Sequence, residues 1–345
     1  MINKRKMLLN TIFLVVVFSL TLYFIFRDQD IAALMDVIKS SDTRYWLASI
    51  VCVVFFIGSE SIIIYYMMNS IKQRVKLLHC FLYSFVGFFV SSITPSATGG
   101  QPAQIYFMKK DRIPIPVATL ILMIVTIAYK FVLVLIGALV LIIRPTEIMN
   151  YLEPAVGICW LGLILNIFCV AFMLLLVFHP TLAKNQLTFL VELLARLRLI
   201  RKKERHLKKI DAAMQQYQDI AIYFRTHRFV IWNVLIITIV QRLLLFYVTY
   251  LVYRSFGLRE TGLVTIVTLQ GMISVAVDML PLPGGMGISE KLFLSVFAPV
   301  FGSLTLPGMI VSRGLSYYTE LILSAVFTVV AIFTIGRRNE RTIEG

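Results

Sequence analysis

The sequence predicts an all-α polytopic membrane protein, with about six full transmembrane helices and two Pro/Gly-broken re-entrant hairpins. Three observations carry this. Of 345 residues, 59% are hydrophobic and only 15% are charged, whereas about a quarter of a soluble domain is charged. The apolar residues come in uninterrupted blocks of the ~20 residues that a helix needs to cross a bilayer. Lys and Arg then collect between the blocks on one side of the expected membrane, as cytoplasmic loops do.

In chain order, the full spans are expected at Met7–Phe26, Tyr45–Met68, Val117–Ile143, Pro154–Phe178, Phe229–Tyr253 and Pro307–Ile335. The first follows a basic start, Met1–Lys6, but is longer than a signal h-region. Arg27-Asp28-Gln29-Asp30 comes next instead of a small-residue cleavage site, so a retained span is expected. Lys4, Arg5 and Lys6 precede it; Lys72, Arg74 and Lys76 follow the second span, and Arg337, Arg338 and Arg341 follow the last. The loops Arg27–Arg44 and Arg144–Glu153 mix both signs. Both termini are therefore expected in the cytoplasm, the membrane being the inner membrane of a bacterial cell.

Residues 1–345 read as one integral membrane domain, and residues 179–228 form a basic cytoplasmic loop within it. Between Arg196 and Lys209 lie eight Lys/Arg and one acid, Glu204. The stretches Leu187–Leu199 and Ile210–Tyr223 have the pattern of amphipathic helices along a membrane face. The loop reads either as a solvated topogenic segment or as a surface for anionic lipid or a partner protein.

Phe81–Met108 and Thr261–Phe301 are apolar regions of a different kind. Pro95, Gly99, Gly100 and Pro102 interrupt the first, and Pro281, Pro283, Gly284, Gly285 and Gly287 the second. Pro removes a backbone donor and Gly favours unusual backbone angles, so neither region continues as regular helix. Each reads as a hairpin that returns to the side it came from. PSATGGQ and PLPGGMG resemble each other, and each region lies between a preceding and a following span. An inverted repeat with Pro/Gly breaks at corresponding places points to a transporter binding site. Irregular backbone at membrane depth is tolerated only inside protein or beside a watery cavity.

Ionisable residues inside the apolar blocks are the candidate substrate contacts: Glu60, Lys130, Arg242, Asp278, Glu290, Arg313 and Glu320. A charge at mid-membrane costs about 2.5–3.5 kcal/mol or more, so such groups face a partner or a cavity. Arg313 and Glu320 are expected on one helical face with Tyr317 between them. The set reads either as mutual ion pairs or as cations receiving a lipid phosphate while carboxylates orient them.

Other chemistry is not signalled. The net charge of +15 raises nucleic acid, but no recognition motif accompanies it and anionic phospholipids suit loop charge better. No HExxH, Walker A, GxSxG or kinase set occurs. His79, His179, His206 and His227 are scattered, and Cys52, Cys80, Cys159 and Cys169 show no paired spacing. Neither a metal nor a cofactor is expected.

Thr94–Met108 (TPSATGGQPAQIYFM) and Leu280–Glu290 (LPLPGGMGISE) resemble the two signature segments of the lysylphosphatidylglycerol synthase transmembrane-region family. That family includes the flippase part of the bacterial multiple peptide resistance factor. The resemblance covers roughly residues 5–335. It implies a flippase fold and a lipid substrate, aminoacyl-phosphatidylglycerol or another anionic or polyprenyl lipid. By position it implies roles for Pro95, Gly99, Gly100, Gln101, Gln104, Pro283, Gly284, Gly285 and Glu290. Two-part members carry a separate synthase domain, which this chain, ending at Gly345, is expected to lack. A lipid flippase is therefore the expected function. The alternatives are a phosphatidylglycerol lysyltransferase or membrane subunit of such a system, and a scaffold that anchors a cytoplasmic lipid-modifying enzyme through Arg196–Arg228. A homodimer is compatible with such a fold.

Overall fold

The computed structural model describes residues 31–179 and 203–335, with positions 181, 184, 185 and 188 between them. Every regular element among them is helical. The elements are α1 (Ile31–Lys39), α2 (Thr43–Ser70), α3 (Leu77–Ser92), α4 (Gly100–Lys110), α5 (Ile115–Ile143), α6 (Thr146–Leu152) and α7 (Val156–Phe178). They continue with α8 (Lys203–Thr226), α9 (Arg228–Ser255), α10 (Leu263–Val277), α11 (Ile288–Val296), α12 (Ala298–Phe301), α13 (Thr305–Arg313) and α14 (Thr319–Thr334).

Five helical stretches are long and apolar enough to cross a membrane: Thr43–Ser70, Ile115–Ile143, Thr146–Phe178, Arg228–Ser255 and Ala298–Thr334. They match five of the six expected spans. The sixth, Met7–Phe26, lies outside the described residues, as do the basic tail at Arg337–Arg341 and most of Leu187–Leu199. Two short helices, α1 and α6, lie within the mixed-charge loops Arg27–Arg44 and Arg144–Glu153. Local chemistry marks the ends. Asp42 caps α2 by accepting from Arg44 N at 2.9 Å. Arg144 closes α5 in the left-handed conformation, with Pro145 directly after it.

Three contacts set the frame. Asp42 N donates to Ser255 O (2.9 Å), Gln241 Nε2 to Phe56 O (2.9 Å) and Asn233 Nδ2 to Tyr66 Oη (2.8 Å). Residue numbers rise along α2 as they fall along α9, so the pair is antiparallel. One end of the bundle is thus the Ser70 face and the other the Asp42 face. The helix α8 ends at the Ser70 face, where Tyr223 Oη donates to Ser70 O at 2.7 Å. Its Met214, Tyr217, Ala221 and Phe224 are buried on one stripe, as the amphipathic reading of Ile210–Tyr223 expected.

The first hairpin, α3 and α4, leaves the Ser70 face and returns to it. Gln104 fills the space beside Gly87, Gly100 lies against Ser91, and Asp111 beyond α4 meets His79 at the start of α3 (2.6 Å). The second, α10 and α11, leaves the Asp42 face after α9. It returns there through α12, whose Phe301 packs on Tyr253 with ring centroids 5.4 Å apart. The tips meet inside the bundle, where Ser96 Oγ donates to Leu280 O at 3.2 Å. Two broken hairpins entering from opposite faces, each following one member of an antiparallel pair, form the expected inverted arrangement.

The tips share one backbone path. Thr94 and Leu282 are extended, Pro95 and Pro283 open a short turn, and Ser96 (φ 50°) and Gly284 (φ 57°) are left-handed. Ala97 and Gly285 follow at φ 53° and 66°. The structural register therefore pairs Pro95-Ser96-Ala97 with Pro283-Gly284-Gly285. Aligning the two glycine pairs is off by this measure, because Gly99 is right-handed at φ −83°. At Gly100 close approach is the requirement: a Cβ there would lie 2.7 Å from Gly87 O.

Lipid tails are as apolar as core side chains, so helices in a membrane associate mainly through close packing. Apolar side chains such as Ile164, Phe168, Val240 and Val264 remain exposed on the outside, as lipid contact requires. Inside, a Cβ on Gly162 of α7 would come within 2.2 Å of Val275 O and 2.8 Å of Ala276 Cα on α10. Gly162→Ala must push two backbones apart and is expected to destabilise by about 1–3 kcal/mol. Gly157→Ala in the same helix meets open space, and is expected to be neutral or stabilising by about 0.5–1 kcal/mol. Thermal unfolding of the two variants in detergent checks the contrast.

Candidate functional site

The site forms where the two tips meet the centres of α2, α5 and α9 and the last span. Two cations grip the second tip. On one side Lys130 Nζ donates to Asp278 Oδ2 (2.6 Å) and approaches Met279 Sδ (3.0 Å), while Tyr129 Oη donates to Asp278 Oδ1. On the other side Arg313 Nε donates to Glu290 Oε1 (2.8 Å) and its Nη2 to Gly284 O (3.0 Å). Glu290 Oε2 accepts from Gly287 N at 2.6 Å, so one carboxylate ties the cation to the start of α11. Both ion pairs are nearly buried. Between the two open readings of the charges, Lys130 and Arg313 stand as partners of protein carboxylates.

Arg242 differs. Its guanidinium lies 3.3 Å from the Tyr129 ring centroid and 5.2 Å from that of Phe56, and its Nε is buried without a hydrogen-bond partner. Among the described residues it makes no direct ion pair with a carboxylate. Glu60 and Glu320 lie within its electrostatic reach. Glu60 Oε1 instead accepts from Gln104 Nε2 at 2.7 Å, and Gln101 Nε2 donates to Thr126 Oγ1. The guanidinium thus rests on an aromatic face with one donor, Nε, unused.

Beside this cluster is a cavity of about 130 Å³ lined by Arg313, Tyr317, Glu320, Ser316, Thr249 and Gln270, among others. Tyr317 Oη donates to Ser92 O (3.0 Å) next to the first tip, and its ring fills the space a side chain at Gly284 would need. Arg313, Tyr317 and Glu320 do share the cavity, but not on the regular helix the spacing predicted. Gly314–Tyr318 is a π-helical turn between α13 and α14. Such turns often mark functional sites.

A family model described as "Lysylphosphatidylglycerol synthase TM region" matches residues 11–324. The chain belongs to this family. No curated protein matches it. Family membership and the five long apolar helices make it a multi-pass membrane protein connected with membrane lipid. Within the family frame, the tip residues Pro95, Gly99, Gly100, Pro281, Pro283, Gly284 and Gly285 lie at or beside the touching turns.

Sequence reading missed Tyr129, Phe56 and Ser92. Tyr129 carried a weak signal as an aromatic neighbour of the mid-membrane Lys130, but Phe56 and Ser92 look like ordinary helix residues. Their roles arise only when distant segments pack together.

Proposed function

We propose that this protein is a lipid translocase of a bacterial inner membrane, with both termini cytoplasmic, in which Arg242 receives the phosphate of a phospholipid headgroup. The single observation behind this is the buried guanidinium of Arg242, stacked on Tyr129 and with Nε unpartnered, beside two opposed hairpin tips. Arg suits phosphate because its planar fork offers paired donors. Glu60, Gln104, Gln101 and Glu320 then orient the headgroup, while Lys130–Asp278 and Arg313–Glu290 hold the second tip in shape. The substrate class is an anionic or aminoacylated phosphatidylglycerol, or a polyprenyl phosphate.

The 130 Å³ cavity is smaller than ligand pockets of about 300 Å³ and above. With the tips touching, no headgroup passes, so translocation requires the tips to part. The test is leaflet exchange in proteoliposomes carrying phosphatidylglycerol, lysyl-phosphatidylglycerol or a polyprenyl phosphate with a reporter headgroup. Exchange of at least one of them well above protein-free vesicles is expected. No exchange by folded protein would overturn the reading.

A second reading, a lysyltransferase or its membrane subunit, is favoured by the family description alone. Purified chain given lysyl-tRNA and phosphatidylglycerol separates the two. The translocase reading expects no new lipid product.

A further inference from the structure

A second polar pocket lies well away from the hairpin tips, at the Ser70 face, in a region where sequence reading saw only loop charge. It has a volume of about 290 Å³ and is lined by Arg74, Lys76, His79, Tyr83 and Asp111, among others. Asp111 is its only carboxylate, and one of its oxygens accepts from both His79 Nδ1 (2.6 Å) and Tyr83 Oη. The acid is thus engaged by two donors and fixes the histidine ring. Arg74 and Lys76 are exposed and, among the described residues, make no ion pair. With Arg74 and Lys76 set against the single carboxylate of Asp111, the pocket carries a net positive charge that favours an anion.

The rim says which anion. Leu77 (40% exposed) and Leu78 (69% exposed) directly follow Lys76, in the first turn of the apolar helix α3. Charged groups beside outward-facing leucines place the pocket at the boundary between headgroups and acyl chains. There a phospholipid presents its phosphate to the cations and its chains to the leucines. A free phosphate satisfies the cations but gives Leu77 and Leu78 nothing to contact.

We infer that the pocket between the start of α3 and the end of α4 is a binding site for the phosphate of an anionic phospholipid in the adjoining leaflet. It is separate from the site around Arg242, and binding there can be measured whether or not the protein moves lipid.

Isothermal titration of the full chain carrying Arg242→Gln, which removes the proposed central phosphate contact, tests it in neutral detergent, with dioctanoyl phosphatidylglycerol, glycerophosphate and inorganic phosphate as probes. The double variant R74Q/K76Q removes both charged donors and is expected to bind phosphatidylglycerol at least about tenfold more weakly. Leu78→Asn is expected to weaken phosphatidylglycerol alone and leave glycerophosphate unchanged. Arg144→Gln, an exposed arginine at the Asp42 face, controls for general charge and is expected to leave binding unchanged. Unchanged phosphatidylglycerol binding by R74Q/K76Q, with an unaltered melting temperature, overturns the site. Equal binding of all three probes, insensitive to Leu78→Asn, overturns the lipid assignment in favour of a free-phosphate site.

Discussion

Arg242→Gln is expected to stop lipid movement while leaving the helices assembled. Hydrogen bonds from a charged donor contribute about 1.5–3 kcal/mol. Loss at the upper end slows translocation roughly a hundredfold, since each 1.36 kcal/mol is a factor of ten. The fold is expected to survive because Arg242 Nε bonds to nothing that would be orphaned, and Glu60 keeps its bond from Gln104. Arg242→Lys keeps the charge but loses the paired donors, and an intermediate rate is expected. Exchange rates in proteoliposomes, measured beside melting temperatures, check both variants. A normal rate in Arg242→Gln would remove this residue from the mechanism.

The opposite pattern is expected at Asp278. It accepts from both Lys130 and Tyr129 and anchors the second tip. Removing one partner of a buried ion pair leaves an uncompensated charge and destabilises by about 3–5 kcal/mol. Asp278→Ala is therefore expected to yield little folded protein at all. The double variant K130M/D278L is expected to recover most of that stability, because matched apolar groups replace a buried pair at little cost. The Tyr129 hydroxyl stays unsatisfied there, so recovery falls short by about 1–3 kcal/mol. Fluorescence-detected size exclusion after heating measures all three proteins. A double variant no more stable than Asp278→Ala would show that the pair does more than cancel charge.

Much of the architecture is legible in the sequence because membrane spans are written locally, as blocks of apolar residues, and hairpin tips as Pro and Gly. The inverted arrangement was likewise visible in two similar breaks with matching flanks. Pairing was not. Lys130 and Asp278 are 148 residues apart, and no periodicity says that they meet. Nor does anything local distinguish Arg242 from Arg313, since each is one arginine in an apolar helix. Only packing gives the second a carboxylate and leaves the first on a tyrosine. The register between the tips was obscured because Ser96 and Ala97 hold left-handed positions that glycine holds in the other tip. The π turn at Gly314–Tyr318 and the pocket at His79 and Asp111 likewise follow from tertiary contacts, which the spacing of residues does not encode.

A headgroup is proposed to pass between hairpin tips that touch in this conformation. The most direct test is a reversible cross-link between the tips. Ser96→Cys and Leu280→Cys would be combined in a chain whose four native cysteines are replaced, and the new pair joined by a short reducible bis-maleimide, since Ser96 Oγ reaches the backbone O of Leu280 at 3.2 Å. Exchange of reporter phosphatidylglycerol is then followed with the bridge closed and after reduction. Closing the bridge is expected to halt exchange, and reduction to restore it. An exchange rate that ignores the bridge, with cross-linking verified, would contradict the account.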